Sequence, residues 1–368
     1  MLWLIKGLGP GGAERLLSLA AGIRDRDAFE YEAAYLLPWK SHLRGDLERE
    51  GMKVHCLDAG SEWNLSWARR LRGLLVRGRF DVLHVHSPYV AAIARIVVRT
   101  MPRRARPHVV STEHVPWSGY ALPTRILNAV TFSLDDAHIA VSRTVRESIP
   151  GRLARTVDVV VHGVRPDAVR RALLERDQIR AELGIAPDEI VVGTVANLRA
   201  QKDYPTLLAA ARRVLDAGFR ARFVAAGQGP LENEIRDLHE SLGLGDAFML
   251  LGYREDAAQT MAGYDVFVLS SLYEGLPVAL MEAVCLGLPI VGTRVPGIVD
   301  AIDDGVEGLL VPPERPDLLA DAIGRLLGDE QLRREMAGAA TARAADFDLT
   351  PAVRRTEQLY RTVAGGGS

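Results

Sequence analysis

The chain has 368 residues, 48% of them hydrophobic and 25% charged, with a formal net charge of −2. That balance excludes a disordered or fibrous chain, gives length for two domains, and leaves no surplus of lysine and arginine for a nucleic-acid backbone. Cys56 and Cys285 are the only cysteines; far apart and without metal-ligand spacing, they suggest neither a disulfide framework nor a zinc site, and a reducing cytoplasm fits them.

In chain order, Leu2 to Lys6 reads as a short apolar strand, Gly7 to Gly12 as a loop and Ala13 to Ile23 as an amphipathic helix, the opening of a β-α-β unit. The loop Gly7-Leu8-Gly9-Pro10-Gly11-Gly12 satisfies Gly-x-Gly-x-x-Gly, so a dinucleotide site of an oxidoreductase is one reading. That reading calls for an acid at the end of the second strand, Tyr31 to Leu37, which instead ends in Leu36-Leu37-Pro38 with Glu30 and Glu32 at its beginning. In the other reading Gly11 and Gly12 let backbone N–H groups and the helix start reach donor phosphates.

Further strands are expected at Val54 to Leu57, Asp81 to His86, His108 to Thr112 and Ala137 to Val141, with Arg-rich helical stretches between several of them, giving a parallel sheet. His84 and His86 share a strand and His114 follows another, but no fourth group announces a metal site. Between Arg69 and Arg106 there are ten arginines, Arg95 among them, with Asp81 the only acid. This stripe reads either as solvated helix faces or as peripheral contact with the anionic inner face of a membrane. No run reaches the length of a membrane span.

The apolar run Val157 to Val164, closed by His162-Gly163, marks a domain boundary, so that residues 1–164 and 165–348 form two domains. A charged helical segment is expected from Arg165 to Leu183. The strand pattern then restarts with Ile190 to Ala196, Phe223 to Ala226, Phe248 to Leu250, Val266 to Leu269, Pro289 to Gly292 and Gly308 to Val311. The last helix, 350–363, is expected to pack back on the first domain, and Gly365-Gly366-Gly367-Ser368 reads as a flexible tail. Two α/β, Rossmann-like domains with parallel sheets and a cleft between them are the expected fold, with chemistry in the loops after strand ends.

After Val266 to Leu269 comes Glu274-Gly275-Leu276-Pro277, then the apolar helical run Val278 to Cys285. Pro277 suits a helix start, and free N–H groups there, with Gly275 allowing close approach, suit a diphosphate. Glu282 lies within that helix among apolar residues, where the two donors of a ribose would satisfy a carboxylate; Glu274 in the loop would accept from sugar hydroxyls. A solvated loop acid and an ion-paired helix acid are the plain alternatives.

With these letters around it, Glu274 to Glu282 resembles the Glu-x7-Glu motif of the retaining glycosyltransferases of the GT-B fold, family 4. Leu288 to Ile298 and Asp304 to Pro312 are similar to that family too. The resemblance implies two facing Rossmann-like domains, an acceptor side in the first and a nucleotide diphosphate sugar in the second, no metal or cofactor, and a glycan or lipid-linked acceptor. The loop after Ile190 to Ala196 reads either as a solvated basic loop or as a phosphate site with Lys202 a point charge and Arg199 a fork of donors; the resemblance carries over Lys202, while Asn197 stands where the family commonly has an arginine. The resemblance also implies that Gly227 turns near the nucleotide, that the Tyr253-Arg254 segment contacts the base, and that His114 approaches the donor sugar. A nucleotide-sugar epimerase or a binding protein without turnover are the remaining alternatives on such a scaffold.

Overall fold

A computed structural model describes residues 1–60 and 64–365; the last three residues of the tail, Gly366 to Ser368, lie outside the described residues. The chain divides into two compact units. Unit 1 runs from Met1 to Gly163 and resumes at Leu349 with the last helix; unit 2 is Val164–Asp348.

Unit 1 holds strands β1 (Leu2–Ile5), β2 (Glu32–Tyr35), β3 (Lys53–Cys56), β4 (Val82–Val85), β5 (His108–Glu113), β6 (Ala137–Ala140) and β7 (Val157–Val159). Its helices are α1 (Gly12–Ala21), α2 (Arg44–Arg49), α3 (Ser66–Gly78), α4 (Pro88–Arg99), α5 (Leu122–Thr131), α6 (Arg143–Glu147) and α7 (Gly151–Ala154). The seven strands are all parallel, in the order β3-β2-β1-β4-β5-β6-β7. Successive side chains of β1 divide two cores, as the two-residue period of a strand requires. Trp3 and Ile5 pack with α1 and the last helix, whereas Leu2 and Leu4 pack with α3 and α4.

Unit 2 contains helices α8 (Pro166–Arg171), α9 (Arg176–Glu182), α10 (Tyr204–Asp216), α11 (Glu232–Ser241), α12 (Ala257–Ala262), α13 (Val278–Cys285), α14 (Pro316–Gly328) and α15 (Glu330–Arg343). The expected single helix from Arg165 to Leu183 is in fact α8 and α9 joined by a 3-10 turn, Ala172–Glu175. Strands β8 (Ile190–Val195), β9 (Ala221–Ala226), β10 (Phe248–Gly252), β11 (Val266–Leu269), β12 (Ile290–Thr293) and β13 (Gly308–Val311) form a parallel sheet ordered β10-β9-β8-β11-β12-β13. Helix α16 (Leu349–Gly365) then returns to unit 1, where Tyr360 is buried and its hydroxyl accepts from Trp3 Nε1 at 3.2 Å.

The arginine stripe is not uniformly solvated. Arg95 is 0% exposed, and its guanidinium grips Asp135 in a two-pronged bond of 2.7 and 2.6 Å while also donating to Asn128 Oδ1 at 2.7 Å. Residue 95 falls on the inner side of α4 with Ala91, Ala94 and Val98, so its charge had to be paired. Arg106 and Arg70 are also partly structural, donating to the carbonyls of Met101 and Leu57 at 2.8 and 2.7 Å.

Candidate functional site

In an open parallel sheet, loops leave the strand ends in opposite directions where the strand order reverses, opening a crevice there. In unit 2 that point lies between β8 and β11, since β9 and β10 extend one way and β12 and β13 the other. The loop after β8 carries Asn197, Arg199, Gln201 and Lys202; the loop after β11 carries Ser270, Ser271 and Glu274.

These two loops are tied together. The Leu272 amide donates to Gln201 O at 2.8 Å, Ser270 Oγ donates to the Lys202 carbonyl at 2.7 Å, and Gln201 Nε2 donates to Tyr273 O at 2.8 Å. The result brings Lys202 and Glu274 into a direct ion pair, with Glu274 only 5% exposed. Ser271 Oγ donates to Glu274 Oε1 at 2.6 Å and Gln201 Nε2 approaches Oε2 at 3.3 Å. A carboxylate so buried needs such donors, and three side chains supply them.

Pro277 is the cap residue of α13, one position before the first helical residue Val278, and no side chain caps that helix. Its opening N–H groups, together with the buried stretch Glu274 to Val278, line the β11 loop. The Val295-to-Gly297 turn presses on this loop: a Cβ on Gly297, whose φ is +80°, would stand 2.4 Å from Gly275 O. Glu282 is buried inside α13, and Leu276 is buried beside the loop.

Gly227 serves the same crevice from beneath. A side chain there would meet Ala196 O at 1.9 Å, so the absence of one lets the β9 loop lie against the β8 loop. Leu198 donates to Gln228 O at 3.1 Å across that contact. Arg199 is exposed at the tip of the β8 loop and does not join the Lys202–Glu274 cluster. Arg254, expected to face the base, is held by Asp256 and Glu182 at 2.7 Å each, which raises its already high pKa; Tyr253 beside it is exposed. The guanidinium is thus committed to two carboxylates within the protein.

In unit 1 the strand order reverses between β1 and β4. The β1 loop ends at Gly11, the cap residue of α1, and a Cβ on Gly11 would lie 2.2 Å from Glu14 Oε2. A carboxylate therefore stands over the helix start that the sequence reading assigned, through Gly11 and Gly12, to donor phosphates. An acid in the first turn is favourable to the helix itself and gives a dinucleotide reading no support. The oxidoreductase reading fares no better at β2, whose end carries no acid and whose Glu32 binds His55 at 2.6 Å.

At the neighbouring strand ends four histidines lie in series. His84 is fixed by Tyr360 OH and by Thr112 Oγ1 at 2.7 Å, leaving neither ring nitrogen for a metal. His86 Nδ1 lies 3.3 Å from His114 Nε2, and His114 stacks on His162 with ring centres 5.7 Å apart. Burial holds His84, His86 and His114 well below the ordinary histidine pKa and lowers His162 to about 4. They are neutral imidazoles at neutral pH. They share a cavity with Trp3, Tyr31 and Tyr360, and His86 Nε2 and His162 Nε2 have no protein partner.

Sequence reasoning did not single out Gln201 or Ser271 as partners of the site. Gln201 precedes Lys202 and Ser271 stands three before Glu274, so adjacency to the chosen charges was the available signal.

Comparison with known proteins agrees with this architecture. The family model for glycosyl transferases group 1 matches residues 175–343, and that for glycosyltransferase family 4 matches residues 11–168. The alpha-D-kanosaminyltransferase of Streptomyces kanamyceticus is 32% identical over 51% of this chain and 49% of its own length. A UDP-Gal:alpha-D-GlcNAc-diphosphoundecaprenol alpha-1,3-galactosyltransferase of Escherichia coli is 23% identical over 78% of this chain and 76% of its own. Among solved structures, Anabaena Alr3699/HepE in complex with UDP and glucose superposes with a TM-score of 0.83 at 21% identity, covering 98% of this chain and 99% of that one.

Proposed function

We propose, for a chain that belongs to the glycosyltransferases of group 1 and family 4, that it moves a sugar from a nucleoside diphosphate sugar to a glycan or lipid-linked acceptor with retention of configuration and without a metal. The observation that carries this reading is the meeting of Lys202 and Glu274, 72 residues apart in sequence, at the strand-order reversal of unit 2. One group suits a diphosphate and the other a sugar hydroxyl.

In the reaction the bond from the anomeric carbon to the diphosphate oxygen breaks while a bond to the acceptor oxygen forms on the same face. The acceptor proton passes to the departing phosphate oxygen, and the nucleoside diphosphate leaves. Charge grows on that oxygen, so fixed positive charge is the largest help the protein can give. Lys202 supplies it, aided by the opening N–H groups of α13. Glu274, already oriented by Ser271 and Gln201, accepts from donor sugar hydroxyls, and Glu282 accepts from ribose. No covalent glycosyl-enzyme is invoked, in contrast to the paired carboxylates of retaining hydrolases. His114, in unit 1, is assigned to the donor sugar as a neutral hydrogen-bonding group.

Polysaccharide or glycolipid synthesis is the proposed setting, in the cytoplasm or at the inner face of a membrane. No helix among the described residues is long and apolar enough to cross a membrane. The Escherichia coli relative, a galactosyltransferase named for a diphosphoundecaprenol acceptor, supports a lipid-linked acceptor. The arginines of the Arg69-to-Arg106 stripe that remain exposed support peripheral contact. The test is release of nucleoside diphosphate from a panel of nucleotide sugars, with and without crude acceptor lipid. Acceptor-dependent release supports transfer; conversion of the donor alone, or binding without consumption, refutes it.

A further inference from the structure

Helix α5 buries two polar residues and turns three large apolar ones outward. The two buried residues are Asn128 and Thr131. Asn128 Nδ2 donates to Glu113 at 2.8 Å, while Asn128 and Thr131 both accept from Arg95. By contrast Leu122, Ile126 and Val130 are 64%, 56% and 69% exposed. Their spacing of four sets them in one row along the outer side of the helix. Single exposed apolar side chains are ordinary, but a row of three on a helix whose inner contacts are polar calls for an outer partner.

The neighbouring helices extend the row. Helix α4 packs against α3 on one side and α5 on the other. It exposes Ile96 and Arg99, and α3 exposes Val76 with Arg69 and Arg72 at helical spacing. Arg103, Arg104 and Arg125 are exposed too, and α3, α4 and α5 contain no acidic residue. Of the acids beside the layer, Asp135 is paired with Arg95 and Asp136 accepts from the Val109 amide at 2.8 Å.

We propose that the outer side of α3, α4 and α5 docks on an anionic lipid surface, with Leu122, Ile126 and Val130 entering the acyl boundary and the arginines among the headgroup phosphates. A helix lying in the interface plane is stabilised by this pairing of an apolar row with basic flanks. A second copy using the same patch would bring arginine against arginine, because a two-fold interface repeats each side. The inference deepens the membrane contact proposed above and rests on that reading for its purpose, while the contact itself is measured without donor or acceptor.

The test is co-sedimentation of the full chain with phosphatidylcholine vesicles and with vesicles containing about a third phosphatidylglycerol, at low and high salt. Binding is expected to the anionic vesicles alone and to weaken with salt. The variant Leu122→Ser/Ile126→Ser/Val130→Ser is expected to partition about tenfold less or lower, and Arg72→Glu/Arg103→Glu/Arg125→Glu to stay in the supernatant. Both sets of side chains are exposed, so unchanged circular dichroism and melting show that folding is not the cause. No sedimentation of the unaltered chain, equal binding to neutral vesicles, or equal binding by the serine variant overturns the proposal. So does micromolar self-association, seen by light scattering, that the serine variant abolishes, because it gives the row to a second copy. Failure of sugar transfer with vesicle binding intact would instead count against the catalytic reading.

Discussion

Replacing Lys202 with alanine separates stability from catalysis at the same pair. Glu274, 5% exposed, would keep Ser271 at 2.6 Å and Gln201 at 3.3 Å but lose its one cation. Removing one partner of a fully buried ion pair costs about 3–5 kcal/mol. Because the Lys202 side chain is 17% exposed and two hydrogen-bond donors remain, the cost here is about 2–3 kcal/mol. For a unit of this size that corresponds to a fall in melting temperature of roughly 5–10 °C. The double variant Lys202→Ala/Glu274→Gln removes the stranded charge and is expected to recover most of the loss. Transfer, by contrast, should fall about 100- to 1,000-fold in both, since neither restores a cation for the leaving diphosphate. Thermal melts and initial rates of nucleoside diphosphate release measure the two effects. A Lys202→Ala protein that melts like the parent, or a double variant no more stable than the single one, refutes the electrostatic account of the pair. Near-normal transfer by Lys202→Ala refutes the phosphate assignment.

Glu282→Gln is expected to fold normally and to raise the donor KM about tenfold or more, since ribose hydroxyls lose a charged acceptor; an unchanged KM removes Glu282 from the donor site. Arg254→Ala should cost about 1 kcal/mol or less and leave the donor KM unaltered, because its guanidinium is spent on Asp256 and Glu182; a raised KM in steady-state assays would show that it touches the donor. Gly227→Ala drives a methyl to 1.9 Å from Ala196 O and should destabilise unit 2 by more than about 2 kcal/mol in urea unfolding, with a near-parental midpoint counting against the close approach. The buried histidines make unit 1 acid-sensitive: burial lowers their pKa, His162 to about 4, so the unfolded chain takes up protons first as the pH drops below about 6.5. Each contributes a loss of up to about 1.4 kcal/mol per pH unit below that point, and a melting temperature independent of pH between 6.5 and 5 would contradict it.

The sequence by itself determined the parallel α/β character of both halves. Short apolar runs separated by turn residues and amphipathic stretches have few solutions other than buried parallel strands with helical crossovers. Among the described residues, twelve of the thirteen strands lie within or beside runs read as strands, and β7 falls in the apolar run that was read as the domain boundary. The motif from Glu274 to Glu282 was legible for the same local reason: a strand end, a glycine and a helix start follow one another in the chain. What only the tertiary structure decided are the pairings across the chain. Lys202 meets Glu274 because β8 and β11 are neighbours although β9 and β10 intervene in sequence. Arg95, written within a run of arginines, turned inward to Asp135 because helix rotation, not composition, selects the buried side. Helix α5 shows the converse: Leu122, Ile126 and Val130, spaced as a core stripe would be, face outward while Arg95 and Glu113 hold Asn128 and Thr131 on its inner side. Periodicity specifies that a helix has two sides, and the partners supplied by the rest of the fold decide which of them is inside.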